Sequence, residues 1–358
     1  MRVMSDATTV DLAEWFAAQL GVDHVAIEDF AGVPAGHSAE TLRLTLVWND
    51  GAPQREEVVL RVRPQPPSLL EPYDLRKQYE IMRALESTPV RAPRVLWYEE
   101  TGELLGREFL VMACAPGDVF ERHIPDELTN DPARVRRMSE ELVDELAAIH
   151  AVNPATLGFL GDGRDFIAEQ IAFWGGEMRR VQRGPVPALE TLLAELEARV
   201  PAPSDVVTLV HGDAKPGNFA FVGSELTATF DWEMSFLGDP MADVAYAQVT
   251  WELPGMFTTL PSSLSIDELV TRYEEKSGIA THDLAWHRSF QRYKLGIIML
   301  IASMLFDSGE SDDPRFSMMG RVVPLYTVPA FADLGLDNVE DQGAVMARPE
   351  RLAMLEGS

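Results

Sequence analysis

Apolar and polar residues alternate, or run apolar with β-branched side chains, in "HVAIEDF", "ETLRLTLVW" and "EEVVLRVR". This pattern predicts strands between residues 24 and 63, divided at "AGVPAGHS" and "NDGAPQ". "PQPPSLLEP" breaks the chain. A helix is expected at about 74–87, "DLRKQYEIMRALES", and "RVLWYEE" and "REFLVMACA" read as two further strands around the turn "TGELLG". Ahead of all of these, "MRVMSDATTVDLAEWFAAQL" reads as an amphipathic helix.

The period changes after "PGDVF". Val135, Met138, Leu142, Leu146 and Ile149 recur at helical spacing, with Pro132 suited to a first turn. "FIAEQIAFWGGEMRR", "LETLLAELEARV" and residues 264–278 and 283–308 read as helices, and "LTATFDWE" as a strand. The expectation is an α+β chain of two lobes, an antiparallel sheet with one helix over 1–115 and a mainly helical part over 116–358, divided near Ala113 to Gly117.

Composition narrows the classes. With 46% apolar residues over 358 positions, a packed core is expected. One cysteine, Cys114, excludes a disulfide framework and points to a reducing, cytoplasmic setting. The opening segment does not read as a signal peptide, and "LGIIMLIASMLF" is too short to span a bilayer, so no membrane role is expected. The formal charge of −27, with −20 of it after residue 115, argues against a nucleic-acid partner. It fits a cationic substrate weakly and a solubilising surface better.

The chemistry concentrates in "HGDAKPGN", residues 211–218, between the apolar runs "VVTLV" and "FAFV". Lys215 follows Asp213 by two positions and Asn218 follows it by five, and "TFDWE" then places Asp231 at a strand end. Phosphoryl transfer needs such parts: a carboxylate to accept the proton of an attacking hydroxyl, and an amide oxygen and a second carboxylate for magnesium on nucleotide phosphates. The protein-kinase loop has the same Asp-to-Asn spacing.

The stretch "LVHGDAKPGNFAFVGSELTATFDWEMSFLGDPMADVAYA" resembles the aminoglycoside phosphotransferase and choline kinase superfamily. More narrowly it is similar to the kinase-like domains attached to some acyl-CoA dehydrogenases. "GHSAETLRL", "VVLRVRP", "FLVMACAPGDVF", "LAAIHAV" and "FQRYKLGIIM" fall in family order. The resemblance implies a protein-kinase-like fold and a phosphotransferase that uses ATP, or GTP, with magnesium on a small-molecule hydroxyl. Asp213 would be the base, and Asn218 and Asp231 the metal ligands. Lys215 could touch the transferring phosphate, or be a solvated loop lysine. Arg61 stands where the family usually has a phosphate-holding lysine. Ala113 to Ala115 would bind adenine through the backbone, and Ser38 would lie above the phosphates. His211 would orient the loop, and Asp243 would brace it or cap the next helix.

Two departures motivate a rival, a pseudokinase-like nucleotide-binding scaffold without turnover: Arg61 itself, and Gln78 where the family usually has a glutamate partner. Gln78 shares a helix face with Leu75, Met82 and Leu85, whereas Glu80 lies nearly opposite, so Gln78 is expected to orient Arg61. Aminoglycosides, macrolides, choline-like alcohols and hydroxyacyl thioesters are the acceptor classes the resemblance offers. The acceptor site is expected around "DWEMSFLGDP", "WELPG" and "FQRYKL", with Trp251, Phe257 and Trp286 favouring something apolar.

Overall fold

A computed structural model describes residues 6–32, 40–121 and 123–339. The chain divides into two units: unit 1 comprises Met1–Asp118 and Thr227–Glu233, and unit 2 comprises Val119–Leu226 and Met234–Ser358. The chain crosses first within the two-residue strand β6 (Asp118–Val119) and later within β9 (Glu225–Thr229), before returning at Met234.

Unit 1 opens with helix α1 (Asp6–Leu20) and contains β1 (Val25–Gly32), β2 (Glu40–Asn49), β3 (Pro53–Val62), helix α2 (Leu75–Leu85), β4 (Val95–Glu99) and β5 (Phe109–Ala113). The strands form one antiparallel sheet in the order β1-β2-β3-β5-β4. Alternation sets its faces. Leu42, Leu44 and Leu46 of β2, Val58, Leu60 and Val62 of β3, and Phe109 and Val111 of β5 pack with Leu12 and Phe16 of α1. Each such fully buried side chain contributes about 1.5–3 kcal/mol. Arg61 lies between Leu60 and Val62 in sequence and therefore points to the other face. Helix α2 packs against β4 and β5 and buries Leu75, Gln78, Ile81, Met82 and Leu85, while Asp74 caps its N-terminus by accepting from the Lys77 amide at 2.8 Å.

Unit 2 is mainly helical: α3 (Asp126–Thr129), α4 (Pro132–His150), α5 (Phe166–Val181), α6 (Pro187–Ala198), α7 (Met241–Trp251), α8 (Ile266–Ser277), α9 (Leu284–Ser308) and α10 (Val323–Asp333). Strands β7 (Thr208–Val210) and β10 (Phe236–Gly238) pair antiparallel, and β8 spans Phe219–Val222. The helical stripe Val135, Met138, Leu142, Leu146 and Ile149 is wholly buried. Ser265 and Glu268 form a capping box at the start of α8. Trp251 and Phe257, expected near an acceptor, instead belong to the unit 2 core with Phe219, Phe221 and Tyr273. Among the described residues no helix is long and apolar enough to cross a membrane.

Candidate active site

In unit 2, β7 delivers the chain to His211, and a short 3-10 turn at Pro216–Asn218 leads into β8. Gly212 between them has φ +82°, and a Cβ there would stand 2.3 Å from the Met234 carbonyl oxygen, so the position requires glycine. The loop backbone is anchored by a buried carboxylate. Asp243 accepts from the His211 amide at 2.6 Å and from the Gly212 amide at 2.8 Å. Its Oδ2 also lies 3.1 Å from His150 Nε2, while His150 Nδ1 lies 2.8 Å from the Tyr273 hydroxyl. Since a carboxylate only accepts, Nε2 carries the proton and Nδ1 accepts from tyrosine. Burial alone would raise the Asp243 pKa, but His150, His211 and the Gly212 amide hold it below the usual carboxylate range. Asp243 thus braces the loop.

The Asp213 carboxylate is held by uncharged donors. Tyr246 donates its hydroxyl to Oδ1 at 2.5 Å, and Asn218 Nδ2 donates to Oδ2 and to the Asp213 carbonyl, both at 2.8 Å. Burial, reinforced by Asp213, keeps the Tyr246 phenol protonated well above its ordinary range. The Asp213 amide donates to His211 Nδ1 at 3.2 Å. Lys215 Nζ lies 3.6 Å from Glu121 and 3.7 Å from Asp213. Beneath the loop, Lys294 of α9 donates to the Gly212 carbonyl at 2.7 Å, with its Nζ 4.7 Å from the Tyr246 ring centroid. Burial lowers the Lys294 pKa to about 8, against the pull of Asp213 and Asp243.

In unit 1, the Thr227–Glu233 segment is tied down where the Thr229 amide donates to the Arg91 carbonyl at 2.7 Å and Thr227 Oγ1 to the Pro116 carbonyl at 2.5 Å. Asp231 then adopts φ +63°, a left-handed conformation uncommon outside glycine. Arg61 Nη1 meets Asp231 Oδ1 at 2.5 Å, Nη2 meets Glu233 Oε2 at 2.6 Å, and Nε meets the Tyr73 hydroxyl at 2.9 Å. Burial opposes the charge on Arg61, but Asp231, Tyr73 and Glu233 outweigh it, and its pKa stands well above the ordinary value.

The expected direct contact between Gln78 and Arg61 does not form. Gln78 faces inward as its spacing predicts, yet it hydrogen-bonds the Tyr73 side chain, and its Nε2 lies 3.5 Å from the Asp74 carbonyl. The physical reason is that two carboxylates already take the guanidinium's terminal nitrogens. Glu80 pairs with Arg76 on the outer face at 2.9 Å.

Of the adenine segment, the Ala113 amide donates to the Arg94 carbonyl and the Cys114 amide to the Glu57 carbonyl. Ala115 is half-buried, and its amide enters no such bond among the described residues. Ser38 lies outside the described residues.

No magnesium site of three or more His, Cys, Asp or Glu side chains occurs among the described residues. Magnesium needs none, since it takes one or two protein carboxylates and completes its shell with phosphates and water. Asn218 fits such a set: its Nδ2 is committed to Asp213, so its Oδ1 is the atom turned toward another partner.

A pocket in unit 2 adjoins the loop. Gly212, Phe166, Phe236, Trp286 and Phe290 line it together with His287, Gln291 and Lys294. His287 Nε2 and Gln291 Oε1 are buried there without hydrogen-bond partners among the described residues. Burial drives the His287 pKa down to about 3, so the ring is neutral. Of the segments expected around an acceptor, Phe236, Phe290, Gln291 and Lys294 line this pocket, and no "WELPG" residue is among its lining residues.

Sequence reasoning missed Tyr73, Glu233, Tyr246 and Lys294. The legible signals were a glutamate two residues after Asp231, a tyrosine one helical turn after Asp243, and one lysine just before the apolar run "LGIIMLIASMLF".

The chain matches the phosphotransferase enzyme family over residues 29–263. It is 32% identical over 208 residues to mouse acyl-CoA dehydrogenase family member 10, covering 57% of this chain and 19% of that protein. It is 26% identical over 324 residues to rat acyl-CoA dehydrogenase family member 11, covering 85% and 40% respectively. The chain therefore spans well under half of either relative. Among solved structures, a Ralstonia eutropha protein assigned to the aminoglycoside phosphotransferases superposes with a TM-score of 0.71 at 22% identity, covering 91% of this chain and 98% of that one. Aminoglycoside phosphotransferase APH(4)-Ia, in ternary complex with ADP and hygromycin B, gives 0.58 at 16% identity, with the same 91% and 98% coverage. These likenesses establish the kinase-like fold.

Proposed function

Because this chain belongs to the phosphotransferase enzyme family, we propose that it transfers the terminal phosphoryl group of ATP, with magnesium, to a hydroxyl of a small molecule. The observation that carries this reading is the Asp213 carboxylate, fixed on both oxygens by Tyr246 and Asn218 in a loop braced by Asp243. In this reading Asp213 accepts the acceptor hydroxyl's proton as its oxygen attacks. Asn218 and Asp231 would hold magnesium, which when bound neutralises charge on the phosphates. Arg61 holds phosphate oxygens, Lys215 adds positive charge beside the transferring group, and the backbone at Ala113 to Ala115 meets the base. GTP would present the same phosphates. The single free cysteine supports a reducing, cytoplasmic setting.

The pocket beside Gly212 has room for about one water molecule, about 10 Å³, between four phenyl or indole walls and one lysine, so it is not taken as the acceptor site.

The test is ATP consumption with magnesium across a panel of alcohols graded in charge and apolar area, with Asp213→Asn as control. Turnover on at least one alcohol of the panel, lost in the variant, is expected. ATP binding without turnover on any acceptor would favour the scaffold reading instead.

A further inference from the structure

We infer that Glu233 is the carboxylate that keeps Arg61 oriented, the task for which α2 offers only Gln78. The inference rests on reading Arg61 as the phosphate-holding residue.

Each guanidinium nitrogen of Arg61 has a distinct partner. Nε is bound to the Tyr73 hydroxyl, Nη1 to Asp231 and Nη2 to Glu233. The Arg61 side chain is 11% exposed and that of Glu233 9%, so solvent screens this pair little. A guanidinium buried this deeply requires a carboxylate partner. Asp231 cannot serve as the constant one if it also binds a divalent cation, because a carboxylate drawn to magnesium no longer balances an arginine. Glu233 carries no such second task. Were Asp231 engaged by a cation, Nη1 would be available to a phosphate oxygen while Tyr73 and Glu233 would still hold Nε and Nη2. Two anchored nitrogens and one exchangeable one are what an arginine needs to meet phosphate in a set orientation.

Gln78 contributes one step further out, through the Tyr73 side chain. Burial lowers the pKa of the partly buried Lys77, against the pull of Asp74 and, after it, of Glu233. The Glu233 charge therefore serves both cations, as the α2 position cannot with an uncharged amide.

The experiment has two arms. The first is a double-mutant cycle of Arg61→Met and Glu233→Gln, read by urea unfolding without nucleotide, with Arg61→Lys replacing Arg61→Met if that variant does not fold. The single variants should each lower the unfolding midpoint, and the double variant should lose no more than the larger single loss. The second arm measures the KM for MgATP against kcat. Glu233→Gln should raise KM about 10-fold, the scale of one lost charged contact, with a smaller change in kcat.

Additive urea effects would overturn the pairing. An unchanged KM in Glu233→Gln, alongside a raised KM in Arg61→Met, would overturn its role in orienting Arg61. Coupled urea effects with a KM insensitive to Arg61→Met would instead refute the phosphate-holding reading and leave the pairing intact.

Discussion

The two units hold their functional carboxylates by opposite means. Asp213 in unit 2 is oriented by a phenol and an amide, neutral donors on a loop whose amides are themselves bound to Asp243. Asp231 in unit 1 is oriented by a cation, Arg61. Neutral donors make the hydrogen bonds that fix the Asp213 carboxylate's direction, while its nearest cation, Lys215, stands back at 3.7 Å. At Asp231 the cation itself is the hydrogen-bond donor, and a second cation would have to compete with it. The first arrangement is what the proposed proton-accepting role of Asp213 asks for, and the second what the proposed metal-binding role of Asp231 asks for.

The sharpest way to break this comparison is to remove the anchor of the Asp213 side. Asp243→Ala strands two backbone amides and the His150 N–H in a fully buried site. A loss of about 3–5 kcal/mol is expected from urea unfolding, the scale for breaking a buried charged network. A loss below about 1 kcal/mol, that of an ordinary hydrogen bond, would mean that the loop is held by something other than Asp243.

Next in size is Asp213→Asn. Asparagine keeps the shape and can still accept from Tyr246, but its NH2 then faces the Asn218 donor and that bond is lost, so MgATP affinity serves as the check on geometry. The expected fall in kcat is about 10²-fold or more, with MgATP affinity nearly unchanged. Unchanged turnover would remove Asp213 from the chemistry and dissolve the contrast between the two carboxylates.

The same contrast explains what the sequence could disclose. The parts of the Asp213 site lie close along the chain: Asn218 follows by five positions, and that spacing carries the motif. Asp243 is thirty residues on, and sequence alone leaves it between helix cap and loop brace; its bonds to His211 and Gly212 decide for the brace. The Arg61 cluster is assembled from partners 170 and 172 positions away, which no local period can register. Helical spacing correctly turned Gln78 inward, but it could not show that Tyr73 stands between Gln78 and Arg61. The five-stranded sheet was legible because its strands are long enough to display alternation, whereas β7 and β10, with three residues each, show no period. Lys294 was hidden because a lone lysine inside a long helix reads as a solvated side chain, and only packing brings it to the Gly212 carbonyl.

Lys294 sharpens the comparison through pH. Its pKa is lowered to about 8 by burial, from an ordinary 10.5. Between these values the unfolded chain holds a proton that the folded chain has released, so stability from this group rises with pH, by at most about 1.4 kcal/mol per unit. Below about 8 both states are protonated and the dependence vanishes. The stability difference between the native protein and Lys294→Met, from urea unfolding, should therefore be flat up to pH 8 and shift in favour of the native protein above it. A difference that stays flat to pH 10 would show that Lys294 titrates as an exposed lysine does, and that the loop is not underlain by a buried charge.

The smallest effect separates two neighbours on α2. Gln78 is 2% exposed and supports Tyr73, which in turn holds Nε of Arg61. Removing it in Gln78→Ala deletes one neutral hydrogen bond, worth about 0.5–1.5 kcal/mol net. Only part of that reaches Arg61, because Asp231 and Glu233 still bind its terminal nitrogens. The KM for MgATP should rise about 2- to 3-fold, less than one neutral bond's full value. Glu80 carries a formal charge, and a count of charges would rank it above Gln78. Its partner, however, is Arg76, one helical turn away on the exposed face, and such pairs contribute about 0.3–0.5 kcal/mol to the helix alone. Glu80→Ala should leave KM unchanged. If Glu80→Ala raised KM as much as Gln78→Ala does, the effect would be long-range electrostatics acting on the nucleotide, and the ordered chain from Gln78 through Tyr73 to Arg61 would not be what positions the guanidinium.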